Sequence, residues 1–467
     1  MLNLFKQYYP VRNIVFIIGE GLLIILSVLI ACYLLLGLDS FAYDNFILLK
    51  CLIITIVIQT CIYYYDLYDQ KVTSTYAEIG IRLFQALGTA AIFLGIVYLL
   101  FPVLIVGQGI FLVSTGLVLL LIAIWRFGYT VILKKGLFNE KIILLGSGKL
   151  AQHIVSEIND KPDCGYTIAM VVTEKDGRDE SFSVPAGSHV TIKDIGQVDL
   201  CDLSKQLKIS KIIVAIKNRR GNFPAKELLQ CRVDGFNILE GNTFYEMLTG
   251  KIMVDLINPA WLIFSSGFHK SYRKLIIKRI FDIVFSCCLL VVLAPLVALC
   301  AIAIKIDSRG PVFFSQERMG EKRRKYVIHK FRSMIHDAET VTGPVWASDK
   351  DPRITRVGKI IRKTRIDEIP QIWNVLKGEM SFVGPRPERE HFVKQLEEII
   401  PYYTERMTVK PGITGWAQIS YGYGASVEDA IEKLSYDLFY TKNFSILMDI
   451  MIVMRTIKIV LCSKGAH

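Results

Sequence analysis

Tyr272-Arg273-Lys274-Leu275-Ile276-Ile277-Lys278-Arg279 leads into an apolar run over residues 280–304, with Pro295 inside it and Lys305, Asp307 and Arg309 behind it. The run is long enough to cross a hydrocarbon core at about 1.5 Å per residue. Basic residues flank both ends, so loop charge does not favour a crossing. Proline in mid-helix removes a backbone hydrogen bond and bends the chain. Together these features predict a helix, over residues 279–304, that enters the bilayer, turns near Ala294 and Pro295, and returns to the face it left. Asp282, one turn in, would not face lipid unpaired. Arg279 and Lys278, three and four residues back on the same helical face, are its nearest candidate partners.

Upstream, four more apolar stretches cover residues 13–37, 45–65, 81–101 and 109–133, each near the length of a membrane span. The first is too long, and too poor in small residues at its end, for a cleaved signal peptide. Lys6 and Arg12 precede it, Lys71 and Arg82 lie between the second and third, and Lys134 and Lys135 follow the fourth. The opposite loops carry Asp39 and Asp44, or no charge over residues 102–109. Basic loops stay inside, so both ends of the four-helix bundle are expected in the cytoplasm. A hydrophobic content of 52% over 467 residues fits lipid sharing the burial, as does a mean hydropathy of +0.40.

Between the spans, residues 141–240 alternate β-branched runs with helical ones. Strands are expected over 141–145, 167–173, 211–216 and 236–239, and helices over 149–159, 197–208 and 224–233, a parallel α/β pattern. The first strand runs into Gly146-Ser147-Gly148-Lys149-Leu150-Ala151, a GxGxxA turn. Such turns let a pyrophosphate approach a helix start, or serve only the tight turn. Glu174 comes late for a ribose-binding acid, and a polar stretch, 174–194, replaces a compact crossover. Both readings stay open, a Rossmann-like module without a ligand and a regulatory nucleotide site.

The formal charge of +12 concentrates beside apolar segments and around one carboxylate pair, which points to anionic headgroups and phosphorylated substrates and away from nucleic acid. Ten cysteines without CxxC spacing, several inside apolar runs, fit a reducing compartment with no disulfide framework. Seven scattered histidines offer no zinc spacing.

After residue 310 the polar residues bunch. Gly310-Pro311-Val312-Phe313-Phe314-Ser315-Gln316-Glu317-Arg318-Met319-Gly320 reads as a turn, a strand and a turn, and Lys330-Phe331-Arg332-Ser333-Met334 closes another strand. Then comes Ile361-Arg362-Lys363-Thr364-Arg365-Ile366-Asp367-Glu368-Ile369-Pro370-Gln371. Adjacent helical residues diverge by about 100°, so Asp367 and Glu368 should take separate roles, one as nucleophile and one as metal ligand. Thr364 caps the helix they start, or the helix begins nearer Pro370; either way both stand near a positive helix end. Arg362, Lys363, Arg365 and Arg386, the last held between two prolines, supply cations for a transferring phosphoryl group. Magnesium, an oxygen-ligand ion, would complete such a site through Glu368.

Residues 272–463 resemble the bacterial sugar transferase family, the monotopic phosphoglycosyl transferases that act on polyprenyl phosphate. The blocks that carry the resemblance are KRIFD from Lys278, GPVFFSQERMG from Gly310, KFRSM from Lys330, RKTRIDEIPQIWNVLKGEMSFVGPRP from Arg362, and KPGITGWAQI from Lys410. The four helices and α/β module ahead of them resemble the long form of that family, which initiates capsule, exopolysaccharide and O-antigen assembly. The resemblance implies that Asp367 attacks a UDP-sugar, that UMP leaves, and that undecaprenyl phosphate takes the phosphosugar from the aspartyl intermediate. It implies magnesium on Glu368, phosphate contacts from Arg362 and Arg386, with Lys330 of the same kind, a re-entrant break at Pro295, and an active site facing the cytoplasm of the bacterial inner membrane. A homodimer is also expected on that ground. Two positions depart from the pattern: Ala294 stands where serine is common before the proline, and Arg365 where a small hydroxyl residue is common.

The organisation expected is therefore a four-helix transmembrane bundle (1–135), a Rossmann-like domain (136–245), a linker (246–270) and a mainly helical catalytic domain anchored by the re-entrant helix (271–467). Residues 444–462 are apolar with Asp449, Arg455 and Lys458 interspersed, which suits an amphipathic helix at the membrane surface. Two rivals are a membrane-anchored nucleotide-sugar dehydratase or epimerase, for which residues 196–270 lack a Tyr-xxx-Lys pair, and a polysaccharide-export scaffold.

Overall fold

Apolar stretches of this length satisfy their backbone in lipid only by coiling. Four of them do so as α1 (Val11–Leu36), α2 (Ile47–Tyr64), α3 (Tyr76–Leu100) and α4 (Ile110–Lys134). The computed structural model describes residues 2–4, 7–9, 11–37, 46–68, 76–107, 109–134, 139–161, 164–173, 182, 191–216, 223–257, 259–265, 267–268, 270–335, 353–422, 424 and 426–461. Contacts divide the chain into two units, Tyr8–Leu239 and Glu240–His467, with short N-terminal pieces assigned to each.

In the first unit, one buried cluster draws Ile24 from α1, Cys51 from α2, Leu87 from α3 and Ile122 from α4. Leu48, Ile92 and Leu112 point outward and are about 70–80% exposed, the inverse of a water-soluble bundle. Inside, Glu20 meets Arg126 at 2.7 Å, a pair that ties α1 to α4. Among the described residues five helices are long and apolar enough to cross a membrane, these four and Tyr272–Asp307. Of the charges used for orientation, Lys6, Asp39, Asp44, Lys71 and Lys135 lie outside the described residues.

The α/β module has strands β1 (Glu140–Leu145), β2 (Tyr166–Thr173), β3 (Thr191–Asp194), β4 (Lys211–Val214) and β5 (Asn237–Glu240), in the spatial order 3-2-1-4-5. β1 pairs in parallel with β2 and β4, and β2 with β3. This is the Rossmann order, with α5 (Lys149–Asp160) leaving β1 through the glycine turn. Gly146 has φ +116°, and a Cβ there would lie 2.8 Å from the Ala215 carbonyl; Gly148 has open space. Strand β3 was not expected. It closes the polar stretch, most of which, Glu174 included, lies outside the described residues. Helices α6 (Leu200–Gln206) and α7 (Ala225–Val233) bring Cys201 and Cys231 together as a disulfide, Cα to Cα 5.3 Å. This corrects the expectation of no disulfide: the two are 30 residues apart and become neighbours only when the helices pack.

The second unit starts at Glu240, and the helix α8 (Gly241–Thr249) belongs to it. Glu246 on α8 meets Lys442 at 2.8 Å, and the Trp416 indole donates to the Gly250 carbonyl at 2.7 Å. Part of the stretch read as a linker is therefore packed into this unit.

Helix α9 (Tyr272–Asp307) runs on past Pro295, which has no N–H to give to its ladder. Near its start, the Arg279 guanidinium donates to the carbonyls of Val375 and Leu376, the last turn of a short helix. Asp282 accepts from Ser381 Oγ and Phe382 N, both 3.0 Å, and Lys278 reaches Asp449 at 2.6 Å. The expected pairing of Asp282 with Lys278 or Arg279 is thus replaced by tertiary partners. A buried carboxylate gains more from two donors that converge on it than from a flexible cation one turn away. At its far end Cys300 and Ile304 share a buried cluster with Phe331 and Ile361, and Asp307 accepts from Val357 N at 2.9 Å. Between these anchors Val291, Val292 and Leu299 are about 65–80% exposed.

Candidate active site

Helix α10 (Arg356–Lys363) begins where the Thr355 hydroxyl accepts from Gly358 N at 2.9 Å. It ends at Thr364, whose hydroxyl bonds back to the Ile360 carbonyl. Arg365 then turns the chain with φ +57°, and residues Ile366–Gln371 form a 3-10 turn that runs into α11 (Ile372–Lys377). Thr364 therefore closes one helix and does not open the next. Its hydroxyl is spent on the preceding turn, and the two carboxylates sit in the tight turn just ahead of α11, the second of the two arrangements expected.

Asp367 and Glu368 are both buried, 9% and 7% exposed. The hairpin of β6 (Phe313–Met319) and β7 (Lys325–Phe331) brings Lys330 to Glu368 Oε1 at 2.8 Å. Arg386, between Pro385 and Pro387, reaches the same oxygen at 3.2 Å. Asn374 holds β7 against α11, accepting from His329 N and donating to the Val327 carbonyl and Glu379. Arg362 and Arg365 stand near enough to act on Asp367 electrostatically. Asp367 Oδ1 is buried and accepts no hydrogen bond. Pro295 lies in α9, and its neighbours Leu296 and Val297 pack against the same buried cluster as Ile366 and Ile369.

Burial pushes the Asp367 carboxyl up to about 6; neighbouring Glu368 adds to the rise, and Lys330, Arg365 and Arg362 pull against it. For Glu368 burial also works upward, but Lys330, then Arg386 and Arg365, outweigh it and hold the group well below the carboxylate range. Two adjacent acids are thus driven apart, the signature of separate roles. Glu368 is a fixed anion, already engaged by two cations. Asp367 keeps an oxygen unspent among cations, the setting in which a nucleophile for phosphorus would stand.

Among the described residues no three acids, histidines or cysteines group as a metal cage. Glu368 offers a carboxylate, the kind of oxygen ligand that magnesium takes. Of the six site residues named from sequence, Lys330 and Arg386 contact Glu368, Lys330 more closely, and Arg362 acts electrostatically on the adjacent Asp367. Sequence reasoning missed Asn374, Arg406 and Asp437. Arg406 is 7% exposed, pairs with Asp437 at 2.7 Å and donates to the Arg386 carbonyl at 3.0 Å. Single contacts between remote elements leave no period or spacing to read.

Comparison with known proteins bears on the family. Residues 273–463 match the bacterial sugar transferase family. A UDP-N-acetylgalactosamine-undecaprenyl-phosphate N-acetylgalactosaminephosphotransferase of Aeromonas hydrophila is 42% identical over 51% of this chain and 56% of its own length. The exopolysaccharide production protein PSS of Rhizobium leguminosarum bv. phaseoli is 42% identical over 39% of this chain and 94% of its own. A UDP-glucose:undecaprenyl-phosphate glucose-1-phosphate transferase of Escherichia coli (strain K12) is 31% identical over 71% of this chain and 70% of its own, which reaches beyond the catalytic unit. The chain spans about half, 56%, of the Aeromonas protein's length.

Proposed function

Because the chain belongs to the bacterial sugar transferase family, we propose that it transfers a sugar-1-phosphate from a UDP-sugar to undecaprenyl phosphate, releasing UMP, as the first membrane step of exopolysaccharide, capsule or O-antigen assembly. The observation that carries this reading is Asp367, buried beside a cation-held Glu368 with one oxygen accepting nothing.

In the first step an Asp367 oxygen bonds to the sugar-bearing phosphorus, and the bond from that phosphorus to the UMP oxygen breaks, its electrons leaving with UMP. In the second, an oxygen of undecaprenyl phosphate bonds to the same phosphorus and the Asp367 carboxylate departs, giving a lipid diphosphosugar. Lys330, Arg386 and Arg362 offset charge on the donor's phosphates, where guanidinium forks match phosphate oxygens. Glu368, with the donor's phosphates, would hold magnesium, whose charge when bound neutralises the diphosphate.

Both substrates meet where lipid and water adjoin, on the cytoplasmic face of the bacterial inner membrane if α9 re-enters. A straight helix from Arg279 to Ile304 would advance about 38 Å. Yet Asn374, beside the carbonyl that Arg279 holds, bonds to His329, and Phe331, two residues along the same strand, shares the cluster with Ile304. Two strand residues cover about 7 Å, which supports a bend at Ala294 and Pro295. Helix α12 (Ile446–Leu461) exposes Leu447, Ile450 and Ile457 while Asp449 and Ile452 are buried, in keeping with a surface-lying helix.

The test is to incubate membranes with a panel of labelled UDP-sugars and undecaprenyl phosphate. Release of UMP with label passing to lipid is expected. Sugar modification without lipid, or no reaction with any donor, would sink the proposal. Periplasmic labelling of cysteines placed after residue 310 would overturn the re-entrant topology.

A further inference from the structure

The strap that carries Arg386 is gripped at two of its carbonyls by buried charged groups from distant elements. At one end, the Val383 carbonyl accepts from Lys278 Nζ at 3.1 Å and from the Tyr440 hydroxyl at 3.0 Å. Both donors also meet Asp449, at 2.6 and 2.8 Å, and Asp449 is fully buried. At the other end, the Arg386 carbonyl accepts from Arg406, which Asp437 and the Tyr403 hydroxyl hold at 2.7 Å each. The two ion pairs lie in the interior and neither contacts Asp367 or Glu368. Buried ion pairs are weak contributors to stability, because desolvation cancels most of the attraction. Two pairs aimed at main-chain carbonyls of one five-residue segment, 383–387, are better explained by what they locate.

We infer that Lys278–Asp449 and Arg406–Asp437 are positioning pairs that fix the Val383 to Pro387 strap so that the Arg386 guanidinium meets Glu368 and the donor's phosphates. Lys278 belongs to the opening turns of α9, so the membrane helix itself sets the placement of an active-site arginine. Phosphoryl transfer depends on such placement, since misalignment on the order of 1 Å costs on the order of a hundredfold. The inference rests on the transfer reaction proposed above.

The experiment is a pair of double-mutant cycles, with the rate of UMP release as readout. In the first, Asp437→Asn is made in the natural chain and in an Arg386→Lys background. Lysine reaches on a flexible stem and depends little on the strap's register. Asp437→Asn should lower kcat about tenfold in the natural chain and less than about twofold in the Arg386→Lys background, because it acts through Arg386. The second cycle uses Tyr440→Phe, which removes one hydroxyl from the other clamp and keeps the packing, so it reads the inference even if Asp437→Asn fails to fold. The same pattern is expected, with a smaller loss. Equal fold-losses in both backgrounds would overturn the inference, since a general weakening of the fold is blind to residue 386. A natural chain that released no UMP from any donor would instead overturn the reaction itself.

Discussion

At Gly146-Ser147-Gly148 the chain leaves β1 and enters α5; at Arg365 it leaves α10 and, through the turn Ile366–Gln371, enters α11. Both are sharp turns at a helix start, and both need a positive φ, +116° at Gly146 and +57° at Arg365. The first has the familiar glycine spacing, but its structural demand is backbone proximity: a side chain at Gly146 would strike the Ala215 carbonyl. The second has no glycine at all, and four cations from three segments bear on its two acids. A motif can therefore be satisfied by packing alone, while a site is recognised by side chains that converge at a cost. Burial of Asp367 without a hydrogen bond on Oδ1 is such a cost.

The comparison breaks most decisively at Asp367. Asp367→Asn should abolish the phosphosugar adduct and lower UMP release by at least about 10⁴-fold, with expression intact. Mass spectrometry of trapped protein checks this, and an adduct on the variant would end the nucleophile assignment. The same substitution should raise the melting temperature at pH 8 by a few degrees, on the order of 2–5 °C. The sign follows from the raised pKa: relative to the unfolded chain, stability from this group is present at low pH and is lost as pH climbs through about 6.

Next in size, Glu368→Gln or Arg386→Ala should slow UMP release by about 10²–10³-fold. If Arg386→Ala were neutral, the cations would be ornamental and the two turns would not differ in kind. The acid limb of the pH–rate profile should follow. Asp367 attacks as its carboxylate, so adduct formation should fall tenfold per pH unit below about 6 and stay level above it. A limb near 4 would mean that burial does not govern the group.

The smallest effect belongs to the glycine turn. Gly146→Ala should destabilise the α/β module by about 1–3 kcal/mol, while UMP release per folded molecule changes less than about twofold. Gly148→Ala should alter neither, since its φ is −77° and the space around it is open. Loss of activity with Gly148→Ala would sharpen the comparison in the other direction, toward a regulatory ligand at this turn.

Much of the molecule was legible in residue order. The four apolar helices, β1, β2 and β4, and the helix after the glycine turn were each set by local pattern: long apolar runs, β-branched clusters, a turn glycine. The carboxylate pair and its basic neighbours were legible too, because they stand within one short stretch, 362–368, with Lys330 and Arg386 in blocks of their own. Three things were not. The disulfide of Cys201 and Cys231, the partners of Asp282, and the grip of Arg406 and Lys278 on the strap all join residues from 20 to over 100 positions apart.

Sequence by itself determined which segments seek lipid, which turn, and which carry charge, since hydrophobicity, propensity and ionisation belong to residues and their near neighbours. Only the tertiary structure decided which charge meets which. In a dry interior a carboxylate takes the donors that converge on it from any part of the chain, and convergence is a property of packing, with no trace in spacing.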